Sequence, residues 1–179
     1  LLTWATLDLF SHNHPQMLGT FGVAASRYGN FCIQNSDLII SLGSQLNNQL
    51  TGHNKKLFAK DAKKIVVDID KWEFFKKDYL NIDLEINMDL KNFFDQISLK
   101  KIKNKFTKDW ITKNIRIQNL YPFVSDSFKK QKVKVNPYYF MKTLSQNSKS
   151  GDVLIPDASA NLIWAYQSFL IEKKQKVFT

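Results

Sequence analysis

The sequence predicts an α/β protein with two parts. The first is a parallel sheet with helices on both faces, and a linker joins it to the first part of a second α/β domain. Three observations lead there. From residue 1 to 98, short apolar runs alternate with stretches at helical spacing. Each apolar run ends in a loop of glycine, amides or carboxylates. A lysine-rich stretch then breaks the rhythm before it resumes. The expected limits are 1–98 for the first domain, 99–134 for the linker and 135–179 for the second.

The elements follow in order. The apolar start Leu1–Trp4 and the apolar end Lys176–Thr179 read as strands cut open, so the sequence reads as a piece of a longer protein. His12-Asn13-His14-Pro15 is a loop, because proline holds the residue before it extended. From Gly22 to Asn35, the spacing of Val23, Ser26, Tyr28, Phe31 and Cys32 predicts a helix. Leu38–Leu42 and Ile65–Val67 are buried strands, "KWEFFKKDY" is a short helical turn, and "NIDLEI" alternates like a strand. Leu90, Phe93, Phe94 and Ile97 fall on one helical face. The linker holds one helix near Phe106–Gln118 and the breaker Pro122. After it, Asn136 caps a helix that has Pro137 at its first position. Val153–Ile155 is a strand, 157–161 a loop, and Leu162–Leu170 a helix.

Composition excludes several functions. The formal charge of +10 invites a nucleic-acid reading. However, the only arginines, the residues suited to bidentate phosphate and base contacts, are Arg27 and Arg116. The lysines crowd between Leu99 and Lys134, as on a solvated surface, so no nucleic-acid partner is expected. No apolar run approaches the ~20 residues that cross a bilayer, so no membrane is expected either. A single cysteine, Cys32, rules out an internal disulfide and reads as a small buried residue. This usage fits the cytoplasm. His12, His14 and Asp8 lack the spacing of a metal site, no serine sits in a G-x-S-x-G elbow, and no catalytic residue is assigned.

The informative stretch is "SDLIISLGSQLNNQLTG", residues 36–52, a strand running into a glycine and a row of uncharged amides. In parallel sheets ligands lie beyond the carboxyl ends of the strands. The loops opening at Gly43, Asp68 and Asn87 all have that address. In "VVDID", Asp68 suits a ribose or adenine acceptor, and Asp70 suits a cap for the turn at Lys71. Neither G-x-G-x-x-G nor G-x-x-x-x-G-K-[ST] is present.

Taken in order, "HPQMLGTFGVAASRYGNFCIQNSDLIISLGSQLNNQLTG", "KKIVVDIDKWEF" and "INMDL" resemble the central domain of thiamine-diphosphate enzymes of the acetolactate synthase type. The matching positions are His14, Pro15, Leu18, Gly19, Gly22, Asn30, Asp37, Leu38, Gly43, Thr51 and Gly52, then Asp68, Ile69, Asp70, Glu73 and Asp89. "GDVLIPDASANLIWAYQSF" looks like the opening of that family's diphosphate-binding domain. The resemblance implies a Rossmann-like first domain and a carboligase or decarboxylase acting on a 2-oxo acid. It implies thiamine diphosphate and Mg²⁺, held mainly by segments outside this sequence, and a homodimer or homotetramer. This piece alone is expected to be inactive.

Carried over position by position, cofactor contacts fall on Gly43, Ser44, Gln45, Asn47, Gln49, Asp68, Ile69, Glu73, Asp89 and Leu90 for FAD. Ser159 and Asn161 are the corresponding positions for the thiamine cofactor's phosphates. The sequence departs from the family's pattern in places. Gln45 and Gln49 stand for two arginines, Asn47 and Asn48 for aspartates, and Val23-Ala24 for a Met-His pair. Ser159-Ala160-Asn161 stands for Gly-Gln-His. Charge-assisted hydrogen bonds are roughly twice as strong as neutral ones, so the amide loop speaks against tight FAD binding. Three readings stay open at this point. They are the acetolactate synthase-like enzyme, an FAD-free thiamine enzyme of a surface-sugar pathway, and a non-catalytic nucleotide-binding or structural module.

Overall fold

The computed structural model describes residues 1–97, 108–172 and 174–178. It is mixed α/β, and its packing divides into two compact units, 1–31 with 112–179 and 32–111.

The apolar start is less regular than a strand. Leu2 makes one isolated parallel bridge to Thr20. A 3-10 turn, Trp4–Thr6, follows at once, closed by the Thr6 hydroxyl donating to the Thr3 carbonyl at 3.1 Å. In the next loop His12 mimics a strand pair. Its N–H donates to the Ile171 carbonyl at 2.7 Å, and its Nδ1 accepts from the Ile171 N–H at 2.9 Å. Burial holds this imidazole below its ordinary pKa, against opposing pulls from the Ile171 contact and Glu172.

Helix α1 spans Arg27–Gln34, shorter than the expected Gly22–Asn35. Gly22 has φ +116°, and Asn30 pins it through both backbone atoms, at 2.8 and 3.0 Å. The Ser26 hydroxyl accepts from the Gly29 N–H at 2.9 Å, which starts the helix there. Tyr28, Cys32 and Ile33 form its buried face. Burial pushes the Cys32 thiol up, so it is no thiolate.

In the unit 32–111, β1 (Leu38–Leu42), β2 (Lys63–Asp68) and β3 (Leu84–Asn87) make a parallel sheet in the order β1-β2-β3. Leu42 pairs with Val67, which pairs with Ile86, so these apolar side chains form one row. Helices flank the sheet. The connections are α2 (Asn48–Thr51) between β1 and β2, and a 3-10 segment (Lys71–Lys76) with α3 (Lys77–Leu80) between β2 and β3. Helix α4 (Leu90–Gln96) follows β3. Strand β2 is the heart of the unit. Val66, Val67, Phe58 and Leu80 are each at most 3% exposed, and at about 25 cal/mol per Å² such side chains are the main source of stability.

The remaining elements belong to the unit 1–31 with 112–179, except where α5 (Lys108–Leu120) enters from the other. The first residues expected for that helix, and the start of the expected linker, lie outside the described residues. Helix α6 (Asp126–Lys129) precedes α7 (Pro137–Asn147). Asn136 caps α7 as expected, its Oδ1 accepting from Tyr138 and Tyr139 N–H at 3.0 and 3.2 Å. Strands β4 (Val153–Leu154) and β5 (Lys176–Val177) pair in parallel around α8 (Ala160–Ser168). Ala165, Tyr166, Phe169 and Ile171 close the core there. Among the described residues no helix is long and apolar enough to cross a membrane.

Candidate functional site

The carboxyl ends of β1, β2 and β3 are laced together by the backbone. Gly43 N–H donates to the Val67 carbonyl at 2.8 Å, and Met88 N–H to the Asp68 carbonyl at 3.0 Å. Asn87 Nδ2 donates to the Asp68 and Ile69 carbonyls at 3.0 and 2.9 Å. The structure therefore gathers Gly43, Asp68, Ile69 and Asp89 at one edge of the sheet, beyond the carboxyl ends of its strands.

The loop after β1 is shaped by two positive φ angles. Gly43 has φ +59°, and a Cβ there would meet Leu90 Cδ1 at 3.1 Å. Leu46 has φ +45°, uncommon for a leucine. It is only 4% exposed, so burial of its side chain offsets the strain. Asn47 then caps α2, its Oδ1 accepting from Gln49 and Leu50 N–H at 3.0 and 3.2 Å. The Thr51 hydroxyl donates to the Asn47 carbonyl at 3.0 Å. Gly52 ends the turn at φ +81° in open space, so conformation alone calls for glycine here. Gln45 and Gln49 are exposed. Ser44 Oγ is closed off from solvent and has no hydrogen-bond partner among the described residues.

The carboxylates are engaged locally. Asp68 is 8% exposed and accepts from the Asp70 N–H at 3.0 Å. Asp70 accepts from the Trp72 N–H at 2.9 Å, the turn-capping role read for it. Asp89 caps α4, accepting from Lys91 and Asn92 N–H at 2.8 and 3.4 Å. Glu73 is half-buried in the first turn of the 3-10 segment, and Ile69 is 71% exposed. Sequence reasoning missed the lock formed by Asn87 and the closure of Gly43 by Leu90. Both are tertiary contacts between loops, and no periodicity reports them.

Ser159 and Asn161 lie in the other unit. Asn161 is the second residue of α8 rather than part of a loop, because the helix begins at Ala160. Both side chains are exposed at that helix start, where unpaired N–H groups suit an anion. Ser159 has φ +73° and ψ −142° and makes no side-chain capping bond. That region belongs essentially to glycine, the residue the family's pattern carries here. Ser159→Gly should therefore stabilise the protein by about 1–2 kcal/mol, raising the thermal midpoint by roughly 2–8 °C. An unchanged midpoint in a thermal melt would mean that the backbone is not held there.

Among the described residues no three histidine, cysteine or carboxylate side chains gather as a metal site. His14 Nδ1 accepts from the Gln16 N–H at 3.2 Å. Asp8 pairs with Lys176 at 3.4 Å. A cavity of 230 Å³ is lined by Leu144, Ser148, Asp152, Val153, Leu154 and Phe169, and by none of the candidate residues.

Residues 1–97 match the family model of the thiamine pyrophosphate enzyme central domain. The chain is 32% identical to a probable acetolactate synthase large subunit of Methanococcus aeolicus over 130 residues, 72% of this chain and 21% of that protein. It is 25% identical to the acetolactate synthase large subunit of Lactococcus lactis, over 100% of this chain and 30% of that protein. With the large subunit of Cyanidium caldarium the identity is 27%, over 92% and 28%. The chain thus spans between a fifth and a third of the length of these relatives.

Proposed function

The chain belongs to the thiamine pyrophosphate enzymes by its central domain, and on that premise we propose that it works within a thiamine-diphosphate-dependent carboligase or decarboxylase acting on 2-oxo acids. The observation that carries this reading is the match over residues 1–97, together with relatives named as acetolactate synthase large subunits. In this reading 1–98 is the central domain, 99–134 a linker, and 135–179 the start of the diphosphate-binding domain. The assembly is a homodimer or homotetramer in the cytoplasm.

The start of α8 suits a phosphate: Ser159 brings a hydroxyl, Asn161 an amide, and the first-turn N–H groups point outward. These groups bind and orient; none of them is placed to move a proton. When bound, thiamine diphosphate supplies the carbanion that holds the acyl equivalent after carboxylate loss. Mg²⁺ is assigned to segments beyond these residues.

The test compares this chain alone with the protein carrying its flanking segments. With those segments, CO₂ release from pyruvate should depend on added thiamine diphosphate and Mg²⁺, and the chain alone should give none. Failure of the longer protein to bind thiamine diphosphate would sink the proposal. Turnover by the chain alone would refute the division of labour it assumes.

A further inference from the structure

We infer that the carboxyl edge of the β1–β3 sheet holds no flavin dinucleotide, and that this protein is a flavin-free member of its family. The inference rests on family membership and on this edge, not on the proposed reaction.

A dinucleotide needs three things from such an edge: donors for its diphosphate, an acceptor for its ribose or adenine, and room beside the backbone. Five of the ten N–H groups between Gly43 and Gly52 are already engaged. Gly43, Thr51 and Gly52 N–H bond to the carbonyls of Val67, Asn47 and Asn48. Gln49 and Leu50 N–H bond to Asn47 Oδ1. The loop from Gly43 to Gly52 contains no cation. At the other two strand ends, Lys71 lies over the Trp72 ring at 5.4 Å and Lys91 beside Asp95 at 3.4 Å. Against these stand Asp68, Asp70, Glu73 and Asp89, whose charges oppose a diphosphate.

The acceptors are partly in use, through one carboxylate oxygen each. Asp68 and Asp89 satisfy backbone N–H groups of their own turns. Room is narrowed on one side of Gly43, where a built Cβ would meet Leu90 Cδ1 at 3.1 Å. Ser44 Oγ has no partner, but it is sealed from solvent and beyond a ligand's reach. The edge is a set of short caps that use half of the loop's N–H groups internally and bring no cation from the loop.

The experiment purifies the folded protein from riboflavin-supplied cells without added cofactor. Its visible absorbance is recorded, then the fluorescence of flavin released by heat. Thermal melts with and without added FAD complete the set. The expected results are no flavin band, no released flavin, and no shift of the midpoint with FAD. A stoichiometric flavin band, or a saturable midpoint shift, would overturn the inference while leaving the thiamine reading untouched. The double variant Gln45→Arg/Gln49→Arg tests the cause. Because the N–H groups stay capped and Leu90 stays in place, it should gain less than about tenfold in FAD affinity, whereas two free charge-assisted bonds would give a hundredfold or more. A gain of that larger size would show the edge to be open, and would refute closure by caps.

Discussion

Gly29→Ala is expected to abolish stable folding of the unit formed by 1–31 and 112–179. In an ordinary helix this substitution is favourable by about 1 kcal/mol. Here the added Cβ would run into the Thr20 carbonyl oxygen and lie 2.6 Å from Ser26 Oγ. The nearer atom is backbone and cannot rotate away. It is also held on both sides, by the Ser26 hydroxyl donating to it at 3.0 Å and by the Leu2–Thr20 bridge. Relief means lifting α1 off that segment, which exposes Tyr28 and breaks the Asn30–Gly22 pair. The loss should exceed about 4 kcal/mol, the range reserved for severe core disruption. Denaturant titration followed by circular dichroism measures it. Ser26→Ala is the companion variant: it removes the cap and the bond to the Thr20 carbonyl without a clash and should cost about 2–3 kcal/mol. A Gly29→Ala protein as stable as the parent would refute the close approach.

That contact also marks where sequence reading stops. Strands β1 and β2 were legible as strands because both are β-branched or leucine-rich runs bounded by polar turns. But β1, at one end of the sheet order, is not the buried strand expected: Leu38, Ile40 and Leu42 are 48%, 50% and 39% exposed. Asn136-Pro137 was legible as a helix start because capping is local chemistry. Helix α1 was read five residues too early at its start, because Val23 and the residues around it keep helical spacing. The true start is set by Ser26 and by a tether from Asn30 to Gly22, which spacing does not encode. The candidate site shows the same division. The strand-end address of Gly43, Asp68 and Asp89 follows from a parallel sheet and was predicted. The use of Asn47, Asp68 and Asp89 within their own turns is a matter of local backbone geometry that residue type and spacing do not encode. Asp70 was the exception, since an acidic residue one position before a helical turn announces its cap.

The second large effect concerns Lys64 in β2. A lysine with 1% exposure is rare without partners. Its Nζ donates to the Ala59 and Ala62 carbonyls at 2.8 and 3.1 Å. Ala59 is itself fully buried at φ +41°, so the ammonium holds a strained turn in place. Its backbone N–H, meanwhile, reaches Asp83 Oδ2 at 2.8 Å, tying β2 to the turn before β3. Lys64→Met keeps the length of the side chain but leaves two carbonyls without their donor. At 1–3 kcal/mol for each group so abandoned, the loss should be about 3 kcal/mol, roughly 6–12 °C in thermal midpoint. Burial lowers the pKa of this lysine, with Asp83 and Asp61 pulling the other way. A base with a depressed folded-state pKa favours the folded state more as pH rises toward its unfolded value of about 10.5. The gap between parent and Lys64→Met should therefore widen from neutral pH toward that value. A gap that narrows on the same climb would mean the ammonium is stabilised, not penalised, by its surroundings, and that its charge rather than its two hydrogen bonds holds the turn.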